Sequence, residues 1–273
     1  MASTGEVVAP PPDRRPQRLR GVVRAVGELL ITVGLVLLLF VFYEVYVTDW
    51  TTARKQEDAS RRLDEQWRAV PAAAPPAVPA EGDGIARLYV PAFGPDYRFT
   101  VLEGTDQATL AAGPGHYSGT ALPGEQGNFA VAGHRIGKGA PFNDLDRLRS
   151  CDALIVETAT HWYVYRVLPH ADEVAGWNPS DPRCRGVAPI GPPYDQAVGT
   201  RIVRPEQGEV IFPVPGMPAG TLPREQQTRL ITFTTCHPEF SAAQRLIVHG
   251  VLVKQYPKDP THPELQPPER EER

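Results

Sequence analysis

The run Leu230-Ile231-Thr232-Phe233-Thr234-Thr235-Cys236-His237-Pro238 carries a thiol near its end, and Arg245 follows that thiol by nine residues. Its β-branched and aromatic residues predict a strand. Pro238, with no N–H and a fixed φ, stops the ladder. A cysteine on the last rung of a strand holds its sulfur at the rim of a sheet, where a substrate reaches it. After a polar turn over 239–244, the run Arg245-Leu246-Ile247-Val248-His249-Gly250-Val251-Leu252-Val253 predicts a second strand. Paired as a hairpin, the two strands set Arg245 opposite Cys236, a fixed cation beside a thiol.

A thiol attacks as thiolate, and with a free pKa of about 8.5 little of it is ionised at neutral pH. It needs a base or a cation beside it, most often histidine. The candidate is His134, at the end of Gly127-Asn128-Phe129-Ala130-Val131-Ala132-Gly133-His134-Arg135, a second apolar run closing on a polar residue. Gly133 permits close approach of backbone there. Two strands that each end in a reactive residue fit a cysteine–histidine pair distant in sequence and close in space. Each residue also has an ordinary reading. Cys236 fits an inert buried thiol, His134 a hydrogen-bonded polar residue at a strand end, and Arg245 a surface charge. Their combination singles them out.

Thr232-Phe233-Thr234-Thr235-Cys236, then Gln244-Arg245-Leu246-Ile247-Val248, preceded about a hundred residues earlier by Ala132-Gly133-His134-Arg135, resembles the sortase family. The similarity is closest to the class E sortases of actinobacteria and covers residues 85–255. Phe233 stands where the family usually has leucine, which keeps bulk and apolarity. The resemblance implies a mostly β fold, a closed eight-stranded β-barrel with short helices, and a cysteine transpeptidase with His134, Cys236 and Arg245 as catalytic residues. It also implies a substrate: a surface protein with a C-terminal L-A-x-T-G-like sorting signal, cut between Thr and Gly through a thioacyl-enzyme. The acceptor it implies is the amine of a lipid-linked cell-wall peptide precursor. Gly115-His116-Tyr117-Ser118-Gly119-Thr120 resembles the loop whose tyrosine class E members use to accept alanine in the signal. Tyr117 on this loop is accordingly an expected substrate-binding residue, and Thr235 is expected to be a second.

The scaffold for these groups is read from the remainder of the chain. Thirty prolines in 273 residues gather at 10–16, 71–79 and 257–268. The two ends and one internal joint are accordingly expected to be extended or disordered. Residues 1–21 read as a disordered cytoplasmic tail whose arginines lie close to the apolar run after it. Residues 22–47 are largely apolar, with Leu35-Val36-Leu37-Leu38-Leu39-Phe40-Val41-Phe42 apolar on every face. They read as an uncleaved, single-pass transmembrane signal anchor. Tyr43, Tyr46 and Trp50 suit its far interface, and the arginines before it put the N-terminus in the cytoplasm and the rest outside. Residues 48–84 read as a short helix rising from the membrane and a polyproline spacer. Short strands are predicted at 85–90, 99–102, 129–132, 153–158, 162–168, 210–212, 230–235 and 246–254, with helical turns at 106–112 and 142–148. Residues 256–273 read as a disordered tail.

A net charge of −4 without a clustered basic patch gives no reason to expect nucleic acid. Of three cysteines, Cys236 carries the motif, and Cys151 and Cys184 are either a disulfide or two free thiols. No zinc-ligand spacing occurs. Asp144, Asp146 and Asp152 match no ion loop and read as solvated turns rather than a calcium site. No cofactor and no metal is expected. Two other functions fit the same residues: a cysteine hydrolase, in which water resolves the thioacyl, and a surface-anchored binding module with a vestigial site.

Overall fold

The computed structural model describes residues 15–43, 48–69, 79–259, 261–262 and 264–272. The tail before Arg15, residues 44–47 with Tyr46 of the expected aromatic belt, and residues 70–78 of the proline spacer lie outside them. The chain forms two compact units, Met1–Val47 and Thr48–Arg273.

In the first unit, helix α1 spans Arg15–Phe42. Among the described residues it supplies one stretch, Arg20–Phe42, long and apolar enough to cross a membrane, with mean hydropathy 2.6 and none of it buried. Arg24 and Glu28, two of the three charged residues in the expected span 22–47, pair with each other at 2.8 Å one turn apart.

The second unit is a barrel. Its strands are β1 (Gly84–Tyr89), β2 (Arg98–Glu103), β3 (Gly115–His116), β4 (Gly127–Ala132), β5 (Ala153–Glu157), β6 (His161–Val167), β7 (Thr200–Val203), β8 (Arg229–His237) and β9 (Gln244–Pro257). Eight of them close in the order β6-β5-β1-β2-β3-β4-β8-β9, with β9 pairing back onto β6. β7 pairs with the first part of β9, on the edge that β6 takes further along. Closure leaves no long free sheet edge. The pairs β2–β3 and β4–β8 are parallel.

Two predicted features are corrected by the structure. Residues 210–212 are not a strand: the apolar run forms a 3-10 turn at Gly208–Ile211, and Val210 buries against Val203 and Ile247 outside the barrel. The eighth barrel strand is instead β3, two residues long, which joins Leu102 of β2 to Ala132 of β4. A Cβ on Gly115 would lie 2.2 Å from the Gly104 carbonyl oxygen, so only glycine fits at this joint.

Alternation along the strands fills the interior. Leu88, Val101, Phe129, Val131, Val156, Tyr165, Ile231, Phe233 and Val248 face one another, and Phe142, Leu145 and Leu148 plug one end. The Phe142 and Phe233 rings stack at 4.8 Å. Truncating one such buried ring to alanine costs about 3–5 kcal/mol.

The segments on either side of the barrel, before residue 85 and after residue 255, pack against it. Helix α2 (Thr48–Ala69) packs on β1 and β2, with Leu63 only 1 % exposed. The Gln56 amide extends the β2 ladder: its Nε2 donates to the Thr100 and Ala112 carbonyls, and its Oε1 accepts from the Thr100 N–H. The proline spacer therefore joins two packed elements of one unit. Past β9, the proline-rich tail is not disordered where it is described. Glu269, 2 % exposed, accepts from Lys254 Nζ at 2.8 Å and from the Tyr256 hydroxyl at 3.1 Å. Glu272 pairs with buried Arg166, and the Arg270 guanidinium sits 3.9 Å from the Tyr89 ring centroid.

Cys151 and Cys184 form a disulfide across 33 residues, tying the long β6–β7 connection to the barrel. In the chain-entropy account a loop of that length contributes about 3–4 kcal/mol. Each aspartate of the weighed calcium set is paired with an arginine: Asp144 with Arg147, Asp146 with Arg135, and Asp152 with Arg183. Among the described residues no cluster is able to hold a metal ion.

Candidate active site

The reactive residues meet where β4 leaves the barrel beside the end of β8. Ile231 and Phe233 point into the core, so alternation turns Thr232, Thr234 and Cys236 to the outer face. In the antiparallel register of β8 and β9, Cys236 lies directly opposite Arg245, which puts both side chains on that face. Cys236 is half-buried and is the free cysteine.

His134 arrives along β4, which runs parallel to β8 with Ala132 beside Thr234. The Gly133 N–H continues the ladder to the Thr234 carbonyl at 3.1 Å. Carrying the register two residues past Ala132 sets His134 beside Cys236, one strand spacing of about 4.8 Å away. Gly133 is required here too, because a Cβ would fall 2.6 Å from the Phe142 ring. His134 Nε2 is buried and has no hydrogen-bond partner among the described residues. Burial, aided by the charge of Lys138, lowers the His134 pKa from its usual value, so the imidazole is neutral at pH 7. A neutral imidazole with an open nitrogen accepts a proton from a thiol.

Arg245 Nη1 donates to the carbonyls of Ala242 and Gln244 at 2.9 and 3.0 Å. Both acceptors are neutral, so turn carbonyls hold the guanidinium, and among the described residues no carboxylate pairs with it. That suits a group meant for a developing oxyanion or a substrate carbonyl.

The two expected substrate residues fare differently. Tyr117 stands half-buried on the same outer face, its hydroxyl 2.9 Å from Thr234 Oγ1, two residues from Cys236 along β8. Its carbonyl is held by the Thr120 N–H and hydroxyl, and Thr120 in turn meets His116, whose Nδ1 lies 2.6 Å from Glu103. Thr235 does not join this surface. It is 3 % exposed, on the inward side of β8 with Phe233, and its hydroxyl donates to the Gly133 carbonyl at 2.8 Å. Thr235 is a strut between the two strands.

Sequence reasoning missed two sets of residues. Below Thr234, a buried polar chain crosses three strands: Asn128 donates to the Phe212 carbonyl, the Thr232 hydroxyl donates to Asn128 Oδ1, and His249 Nδ1 lies 2.8 Å from that hydroxyl. Since the hydroxyl proton is spent on Asn128, His249 Nδ1–H is the donor. Complete burial, with a contribution from Arg201, pushes the His249 pKa down to about 3. The period-two run Thr232, Thr234, Cys236 is the signal that points to this face. Arg135 and His237, each one residue past a reactive group, bond to each other at 2.9 Å; no sequence signal marks that pair.

The Sortase domain profile matches residues 88–253. The chain belongs to the sortase family. Sortases as a family are cysteine transpeptidases that act on proteins with sorting signals and on cell-wall precursors. This sortase is 30 % identical over 251 residues to Sortase SrtE1 of Streptomyces coelicolor, aligning 88 % of its own length with 60 % of that relative's. Sortase SrtE2 of the same organism is 29 % identical over 257 residues, with 88 % of this chain and 86 % of that one covered. Among solved structures, the SrtF sortase from Corynebacterium diphtheriae is 41 % identical with a TM-score of 0.63, covering 74 % of this chain and 99 % of that one. The class E resemblance read from the motifs agrees with these relatives, and the barrel is the family's fold.

Proposed function

We propose that this sortase is a membrane-anchored cysteine transpeptidase that cuts the Thr–Gly bond of an L-A-x-T-G-like signal and passes the protein to a cell-wall peptide amine. The observation that carries this reading is one outer face holding Cys236 opposite Arg245; the β4–β8 register, carried two residues past Ala132, brings the neutral His134 to the level of Cys236.

His134 takes the proton of the Cys236 thiol, and Sγ attacks the threonine carbonyl carbon. The carbonyl oxygen gains the negative charge and is met by Arg245, whose free N–H groups are already oriented by the turn carbonyls. Collapse breaks the Thr–Gly C–N bond, and the His134 imidazolium gives its proton to the leaving glycine amine. A thioester remains on Cys236. An incoming amine attacks it, His134 accepts the amine proton, and Cys236 leaves as thiolate, protonated again from His134. Tyr117 lines the groove beside the second residue of the signal, where alanine is compact enough to fit.

In this reading α1 anchors the chain with its N-terminus in the cytoplasm, and Thr48 onward lies outside the cell. The Cys151–Cys184 disulfide supports an oxidising exterior for the barrel. The test is a transfer assay with the full chain in detergent, an L-A-x-T-G peptide labelled before the cleavage site, and an amine-bearing peptide acceptor. The expected result is a labelled product that contains the acceptor. Free acid as the sole product at saturating amine overturns the transfer step and makes the enzyme a hydrolase.

A further inference from the structure

The segment after β4 is built loosely for a catalytic element. From Gly133 to Ala140 it holds three glycines, and Gly137, Lys138, Gly139 and Ala140 all have positive φ. His134 has to sit in that segment at a fixed distance from a sulfur on another strand. Hydrogen bonds reach from it to β8 at successive levels. On the near side of the reactive pair, the Gly133 N–H meets the Thr234 carbonyl and the Thr235 hydroxyl meets the Gly133 carbonyl. On the far side, Arg135 meets His237.

Arg135 is only 4 % exposed, although it lies on a rim. Its Nη1 is 2.9 Å from His237 Nδ1, and its Nη2 donates to Asp146 at 2.7 Å and lies 3.8 Å from Glu239. Its carbonyl accepts from Asn143 Nδ2 at 2.9 Å, so its backbone is fixed as well. A guanidinium has donors and no acceptor, which makes His237 Nδ1 the acceptor and puts the His237 proton on Nε2. The contact is thus one directional bond to a neutral ring, between the residue following His134 and the residue following Cys236. A misplacement of 1 Å at a reacting centre costs about a hundredfold in rate. From this geometry we infer that Arg135 is a positioning residue which, through His237 Nδ1, closes the far side of the reactive pair and sets the His134–Cys236 separation. The inference rests on the catalytic reading above, and it assigns a role to two residues outside the triad.

The experiment uses the full chain in detergent with His237→Ala, His237→Asn and Arg135→Lys. It reads kcat and KM on a signal peptide, the rate at which iodoacetamide alkylates Cys236 at pH 7, and the melting temperature. Asparagine Oδ1 stands where Nδ1 stood and accepts from Arg135, whereas alanine offers no acceptor. For His237→Ala the expected result is a kcat lower by about 10–100-fold, KM within about twofold, and slower alkylation, with a cooperative melt retained. His237→Asn is expected to recover most of both rates. Arg135→Lys, a point cation that cannot fork between His237 and Asp146, is expected to resemble His237→Ala. A His237→Ala enzyme within about twofold of wild type in kcat and alkylation overturns the inference, as does a folded His237→Asn no better than alanine. Absence of any peptide turnover by wild type counts against the catalytic reading alone, because alkylation still judges the clamp.

Discussion

Arg87, in the seam where α2 lies on β1, and Arg245, at the rim where β4 and β8 end, have their charges treated in opposite ways. At the seam, Arg87 meets Asp64 at 2.6 Å, bonds the Ser60 carbonyl and hydroxyl, lies 3.8 Å from Glu157 and covers the Trp67 ring. At the rim, Arg245 bonds two neutral carbonyls, and buried His134 Nε2 bonds nothing among the described residues. The countercharges of Arg87 are built into the chain, and so are those of Arg135 at the rim; the countercharge of Arg245 is left for a ligand to supply. Polar groups left open in this way mark a functional site more surely than paired ones do.

Removing each arginine in turn puts that contrast under the greatest strain. Arg245→Ala is expected to lower kcat by about 10²–10³, the cost of losing one oxyanion donor, with the melting temperature unchanged. Arg87→Ala is expected to do the reverse. Removing one partner of a buried pair costs about 3–5 kcal/mol, and the low end applies because the Asp64 side chain is 43 % exposed. For a domain of this size that is a melting temperature lower by roughly 6–12 °C, with turnover below the melt preserved. Turnover and melting curves of both variants, measured side by side, decide it. A destabilised Arg245→Ala or an inactive but folded Arg87→Ala breaks the contrast.

The buried chain under the rim adds a second, pH-dependent contrast. His249 is neutral in the fold with its pKa near 3, while the unfolded chain has the ordinary value of 6.5. The unfolded state therefore binds the extra proton first, and stability is full above 6.5 and falls as pH drops toward 3. Each pH unit across that window removes up to about 1.4 kcal/mol. Melting temperature followed from pH 7 to 4 is expected to fall less steeply in His249→Gln than in wild type. Parallel curves would exclude His249 as a source of acid sensitivity.

The smallest effect belongs to Tyr117, whose hydroxyl bonds Thr234 at the edge of the rim. Its loss in Tyr117→Phe removes one hydrogen bond of about 1 kcal/mol and is expected to slow turnover several-fold. Tyr117→Ala is expected also to narrow the preference for L-A-x-T-G over L-P-x-T-G peptides. An unchanged ratio of kcat/KM in folded Tyr117→Ala removes Tyr117 from the specificity surface.

The rim was legible in sequence because its chemistry sits at strand ends. A strand that stops at Cys236-His237-Pro238 and another that begins at Arg245 define their own register, and the structure has that register. The same counting, carried one step further, excludes Thr235 from the substrate face, since residues 234 and 236 share a side and 235 faces inward. What sequence did not carry was contact between distant segments. β3 is two residues long and exists because Leu102 and Ala132 flank it; nothing local predicts a strand in Gly115-His116. The triplet at 210–212 has strand composition, yet Val203 and Ile247 gave it an apolar surface to close on as a turn. The proline-rich tail docks because Lys254 and Arg166 on the barrel offer countercharges to Glu269 and Glu272. Arg135 and His237 lie 102 residues apart, and their bond is visible only in three dimensions.

Whether the open charges at the rim serve Cys236 as a nucleophile is decided by intact-mass spectrometry of the full chain mixed with an L-A-x-T-G peptide in the absence of acceptor. The expected spectrum shows a covalent adduct on Cys236 equal to the peptide truncated after threonine, released by hydroxylamine and missing in Cys236→Ala. Peptide cleavage by folded Cys236→Ala, or cleavage by wild type with no adduct under trapping conditions, would rule that nucleophile out.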